Sequence, residues 1–198
     1  MPAPKRVRRT LEASRQAILE TAERHLQADG PEGVKVQRVA HDLGLTDAAV
    51  HYHFGNRNGL LEALLRFSGR RFVAEIEAAV AARGPEGFDI PQAAALLTDL
   101  YGRRGTARLA MQLMLSGWSP EGEGMLRPLA EWLHAARTRT AAERGCEAPT
   151  IEDSQRVIAL LSALTFVQAL SGDAHFRSAD LAHLSAEEFI AWLTDRLD

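Results

Sequence analysis

The sequence predicts an all-α protein: an N-terminal three-helix unit containing a helix-turn-helix, followed by a larger C-terminal helical bundle. Three observations carry that expectation. Apolar residues recur at three- and four-residue spacing along most of the chain, glycine and proline clusters punctuate them, and no stretch alternates apolar and polar for long enough to form a strand. With 198 residues, 46% apolar and 25% charged, the chain is long enough to bury a substantial core. The expected division is 1–56 and 57–198.

The first helix is read from Ile18, Leu19, Ala22, His25 and Leu26, and it stops at Asp29-Gly30-Pro31. A second, Val36 to Leu43, places Val36, Val39, Ala40 and Leu43 on one face and closes at Gly44, where a positive φ is sterically free. Thr46 caps a third, Asp47 to Phe54, with its hydroxyl facing the amide of Ala49. A fourth begins near Arg57, is lined by Leu60, Leu61, Leu64, Phe67, Phe72, Ile76 and Val80, and ends at Arg83-Gly84-Pro85. The helical pattern resumes over 91–101, 106–116, 125–144, 150–170 and 185–197, with breakers between. Ser185 and Glu188 form a capping box that starts the last helix.

Composition narrows the function classes. The single cysteine, Cys146, has no internal partner for a disulfide, and the N-terminal segment lacks the apolar core of a secretory signal, so a reducing cytoplasm is expected. No uninterrupted apolar run approaches the roughly 18 residues of a membrane span. Net charge is −3, unevenly spread: residues 1–57 hold nine basic against seven acidic side chains, +2, which leaves −5 for the remainder. The excess sits in the arm bearing Lys5, Arg6, Arg8 and Arg9. It suits contact with a polyanion at one end, and it equally describes a solvated tail.

The second and third helices, joined by Gly44-Leu45-Thr46, have the spacing of a helix-turn-helix whose second member enters a DNA major groove. At about 100° per residue, Val50 and Phe54 fall together and face the core. Tyr52 then points away, Ala48 and Ala49 flank it, and His51 and His53 stand at the edges. Small alanines let the backbone approach base edges, Tyr52 supplies a ring with a hydroxyl, and the imidazoles are expected to donate to phosphate or to guanine N7. Histidines at i and i+2 diverge around a helix, so a shared metal is not expected. Packing of the rings against neighbouring helices is the alternative, stronger for His53 than for His51. No Ser-His-Asp set, phosphate loop or paired carboxylate appears, so neither an enzyme nor a cofactor is expected.

As an ordered set, Ile18-Leu19, Ala22, Gly30, Val39-Ala40, Gly44, the segment Val50 to Phe54, Arg57 and Leu60 resembles the tetracycline-repressor (TetR) family of bacterial transcription regulators, over about residues 15–65. The resemblance implies a homodimer with a three-helix DNA reader, and a C-terminal domain that binds a small effector and dimerises through its last two long helices. It assigns DNA contacts to Lys35, Arg38, Thr46, Ala48, Ala49, His51, Tyr52, His53 and Arg57. Several positions depart from the family's pattern. Val34 and Lys35 stand where a capping Thr is common, Ala49 replaces a Thr, His51 replaces a Tyr, and Arg57 replaces a Lys.

The segment 150–170 is apolar around most of its circumference, which suggests either cover by a second subunit or a central place in the bundle. Leu160, Leu161 and Leu164, with Phe189 and Trp192 of the last helix, are the expected dimer contacts. An effector pocket is expected beside the fourth helix, lined by Phe67, Phe72, Tyr101, Met111, Gln112, Met114 and Trp118, since Met, aromatic walls and an amide suit a small apolar ligand. The expected partners are therefore operator DNA, a small-molecule effector and a second copy, with no membrane. The expected function is a repressor released from DNA by its effector. The competing reading is a helical ligand-binding or interaction module whose helix-turn-helix no longer reads sequence.

Overall fold

A computed structural model describes residues 10–84, 88–120 and 124–197, and the basic arm Lys5 to Arg9 lies outside them. The described residues form helices joined by turns and irregular segments, with no strand. In order the helices are α1 (Leu11–Asp29), α2 (Val36–Leu43), α3 (Asp47–Phe54), α4 (Arg57–Arg83), α5 (Ile90–Thr98), α6 (Thr106–Leu115), α7 (Arg127–Arg144), α8 (Ile151–Ser171), α9 (Ala174–Ser178) and α10 (Ala186–Leu197). The chain divides into two compact units, 1–67 and 68–198, inside α4 and so beyond the division expected at its start. Leu60, Leu61 and Leu64 on the first turns of α4 are fully buried, which accounts for the extra length of the first unit.

In the N-terminal unit, α1 contributes Ile18, Leu19, Ala22 and Leu26 to the core, and α2 contributes Val36, Val39 and Ala40. Each large aliphatic side chain so buried contributes about 2 kcal/mol. Helix α1 starts where the Thr10 hydroxyl accepts from the Ala13 amide at 3.2 Å. His25, buried on α1, meets Asp42 near the end of α2 through Nε2 and Oδ2 at 2.7 Å. Asp42 also lies beside His41. Chiefly the His25 hydrogen bond, with help from His41, holds its carboxyl below the ordinary range.

Helix α2 ends at Gly44, with φ +64°, where the Gly44 amide donates to His41 O at 3.0 Å and the Leu45 amide to Ala40 O at 2.9 Å. That pair of bonds is a Schellman close, and its left-handed position is one a Cβ would strain. Thr46 Oγ1 then accepts from the Ala49 amide at 3.2 Å and starts α3. The next helix follows at once: Asn56 Oδ1 accepts from the Gly59 amide at 2.9 Å. A Cβ at Gly59 would lie 2.1 Å from the Phe54 carbonyl oxygen, so only glycine permits this approach of α4 to the end of α3.

In the C-terminal unit, α8 is the central helix, packed by α5 and α7. Val157, Ile158 and Leu161 of α8 join Ile90, Leu97, Leu129 and Leu133 in one buried cluster. The Thr150 hydroxyl and the Asp153 carboxylate cap each other's backbone at the start of α8, and Ser185 and Glu188 do the same before α10. Between α5 and α6 the backbone widens into a π turn, Asp99–Arg103. The segment 172–184, expected to be irregular, contains the short helix α9, whose Phe176 is buried.

Candidate nucleic-acid interface and effector cavity

Helix α3 exposes the face the sequence indicates. Val50 is 1% exposed and Tyr52 75% exposed, so two residues of chain separate the core from a solvent-facing ring. Ala48 and His51 are exposed, and Ala49 and His53 are half-buried. Phe54 is half-buried rather than wholly inside. The Arg15 guanidinium lies 4.4 Å from its ring centre, and Arg15 Nη1 also donates to His53 O at 2.8 Å. This arginine on α1 pins the end of α3, a role that its spacing alone does not reveal.

The histidines differ from expectation in their hydrogen bonding. His51 Nδ1 lies 3.0 Å from Gly55 O, and because a carbonyl only accepts, Nδ1 carries the proton. In that tautomer Nε2 is an acceptor, suited to the amino groups of adenine or cytosine. His53 sits edge-on to Tyr52, with ring centres 5.6 Å apart. That packing buttresses the tyrosine.

Two of the expected phosphate contacts have partners within the protein. Arg57 Nε donates to Val34 O at 2.9 Å and Nη2 to Pro31 O at 2.7 Å, while Glu32 lies 3.7 Å away. Arg38 is paired with Asp29. Lys35 is exposed at the N-cap of α2, with no side-chain hydrogen bond capping that helix. Over residues 10–57, five basic side chains face seven acidic ones, −2, so a positive N-terminal end depends on the four basic residues of the arm.

In the C-terminal unit a cavity of about 370 Å³ is bounded by α4, α5, the π turn and α7. Of the residues expected around an effector, it takes in Phe72 alone. Tyr101 instead bonds Ser162 at 2.8 Å and meets Phe166 edge-on, and its burial raises the hydroxyl's pKa against the pull of that hydrogen bond. Met111, Gln112, Met114 and Trp118 are half-buried on α6 and just beyond it, and Phe67 is half-buried in the first unit. The cavity's apolar wall includes Phe88 stacked on Trp132, with ring centres 3.9 Å apart and planes within 4°. Across from it Arg104 bridges Glu75, at 2.6 Å, and Asp99, at 2.7 Å, and Arg103 Nε reaches Asp99 at 2.8 Å. The carboxylates, Glu75 first, hold the Arg104 guanidinium above even its usual basicity.

On the far side of α8, Leu160 and Val167 are 47% and 42% exposed, and Trp192 of α10 is 46% exposed. Phe189 is half-buried between Phe176 and Trp192, with ring centres 5.3 and 5.4 Å away, and Leu164 is half-buried. Leu161, expected at a dimer contact, is instead 0% exposed inside its own chain, because its position on α8 faces the bundle core.

A short helix presenting a side chain outward after a glycine turn, ahead of an independent helical unit, defines the class of helix-turn-helix regulators. Residues 18–64 match the family model of bacterial regulatory proteins, tetR family. No curated protein matches. A member of the TetR family from Streptomyces coelicolor A3 has 26% identity and a TM-score of 0.50, covering 92% of this chain and 96% of that one. A TetR-family transcriptional regulator from Pectobacterium atrosepticum has 20% identity and a TM-score of 0.59, covering 88% and 93%. The multidrug binding protein EbrR, complexed with ethidium, shares the fold at 24% identity and a TM-score of 0.52, covering 93% and 97%.

Proposed function

We propose that this protein is a dimeric transcriptional repressor of the cytoplasm that reads operator DNA through α3 and leaves it when a small molecule occupies the C-terminal unit. The observation that carries the reading is the contrast on α3 between buried Val50 and exposed Tyr52, flanked by small Ala48. Two such helices, ~34–36 Å apart in a dimer, fit successive major grooves of a quasi-palindrome. The half-exposed stripe Leu160, Val167 and Trp192 supports the pairing, since a second copy of the same stripe would cover it about a two-fold axis. Effector occupancy would favour a dimer with its readers wrongly spaced, a population shift rather than competition for DNA.

The experiment is an anisotropy titration of the full chain against the intergenic DNA upstream of its own gene, at stated salt, with and without competitor DNA. Saturable binding that survives competitor supports the reading. A second reading, a ligand-binding module with a degenerate reader, is favoured by the internal engagement of Arg57 and Arg38. It predicts binding that competitor and salt abolish together.

A further inference from the structure

Resting on the reading that the C-terminal unit binds an effector, we infer that the cavity beside α4 takes a monoanionic amphiphile, its apolar body against Phe72, Ile76 and the Phe88–Trp132 pair and its anionic group received by Arg83. The charge pattern of the lining argues for this choice. Three guanidinium groups, Arg83, Arg103 and Arg104, face two carboxylates, Glu75 and Asp99. Both carboxylates are already bonded by Arg104, and Asp99 by Arg103 as well. Arg83 has no ion pair among the described residues. Its charge, carried on an exposed side chain of the lining, is the surplus that attracts an incoming anionic ligand.

A cationic ligand would meet that surplus, and it would gain a carboxylate only by taking one from Arg104. That guanidinium, 20% exposed, would then lose a partner in a half-buried place. A neutral polar ligand finds few groups to bond: Trp132 Nε1 already donates to Gly84 O at 3.1 Å, which leaves Gln92 as the neutral polar side chain of the lining with a free amide to offer. The volume, about 370 Å³, lies in the range of small-molecule sites, roughly 300–1,000 Å³. The π turn adds an independent indication. It carries Asp99 and Arg103 to the cavity, and such widened turns are frequent at functional sites.

The test is calorimetric titration of the full chain with three probes of one shape: 2-naphthoate, 2-naphthylmethanol and 2-naphthylmethylammonium. Naphthoate is expected to bind at least tenfold more tightly than either of the others. Arg83→Gln is expected to erase that preference while leaving the alcohol's affinity within twofold. Ala95→Trp, which fills the cavity from an exposed position on α5, is expected to abolish binding of all three. Equal or tighter binding of the ammonium or the alcohol would overturn the inference, as would a preference that survives Arg83→Gln, or no binding of any probe at millimolar concentration. Naphthoate that binds without releasing DNA upholds the inference and sinks the derepression reading. DNA release by the alcohol, with no binding of naphthoate, does the reverse.

Discussion

Arg57, at the start of α4, reaches back 26 positions to donate from Nη2 to the carbonyl of Pro31 at 2.7 Å, and its Nε bonds Val34 O at 2.9 Å. The guanidinium thus satisfies two carbonyls of the turn between α1 and α2, and holds that turn to the helix that follows the reader. A residue expected to touch phosphate has a structural duty.

That duty separates two outcomes. Hydrogen bonds to a charged group contribute about 1.5–3 kcal/mol when buried, and less here because the side chain is 32% exposed. Arg57→Lys keeps the charge and loses the fork, so we expect its urea-unfolding free energy to fall by about 1 kcal/mol while the salt dependence of DNA binding is unchanged. Unchanged stability with a flattened salt slope would return Arg57 to the phosphate backbone.

Electrostatic attraction to DNA should reside in the arm. Residues 10–57 carry −2 without it, and Lys5, Arg6, Arg8 and Arg9 make the N-terminal end positive. Deleting residues 2–9 should reduce the slope of log K against log salt by roughly three to four, since each phosphate that a basic side chain neutralises adds about 0.9 to it. Fluorescence anisotropy across a salt series measures it.

The Asp42 carboxylate gives the N-terminal unit an acid-sensitive tie. Its pKa in the folded chain lies below the ordinary 3.8, first through the His25 hydrogen bond and then through His41. A depressed carboxylate stabilises the fold above its unfolded value, and that contribution fades as pH falls through the lowered folded value. Asp42→Asn should therefore lower the urea midpoint at pH 7 and flatten its decline between about pH 5 and pH 3. Parallel decline in both proteins would show that the His25 pair contributes nothing to acid unfolding.

How far the sequence anticipates this structure depends on the range of the interaction. Gly44 and Thr46 act through bonds three to five residues away, so the helix-turn-helix and its caps can be read directly. The start of α10 is legible for the same reason, through Ser185 and Glu188. Arg15 and Arg57 are not, because long side chains choose carbonyls that only the tertiary fold brings near. Helix α8 is apolar on nearly every side, so periodicity leaves its phase undetermined and Leu161 reads as surface. The cavity gathers residues from four segments, and no spacing along one helix marks it. The π turn breaks the 3.6-residue rhythm for five residues, and α9 keeps that rhythm for only five, each too briefly for a pattern to form.

Adjacent leucines on α8 should behave oppositely. Leu160→Arg, on the half-exposed stripe, should shift the protein to a monomer by sedimentation velocity with little loss of helicity. Leu161→Ala, wholly buried in its own chain, should cost about 2–5 kcal/mol of stability. A monomer–dimer equilibrium untouched by Leu160→Arg would place any pairing elsewhere.

The most direct measurement is competition anisotropy of wild type and Tyr52→Ala on a selected operator and on scrambled DNA, at one salt concentration. With Val50 anchoring α3 and Tyr52 the outward ring, the variant should lose about tenfold in its preference for the operator, equivalent to about 1–3 kcal/mol, and keep its affinity for scrambled DNA. An unchanged preference, or equal losses on both DNAs, would mean that α3 does not read base pairs.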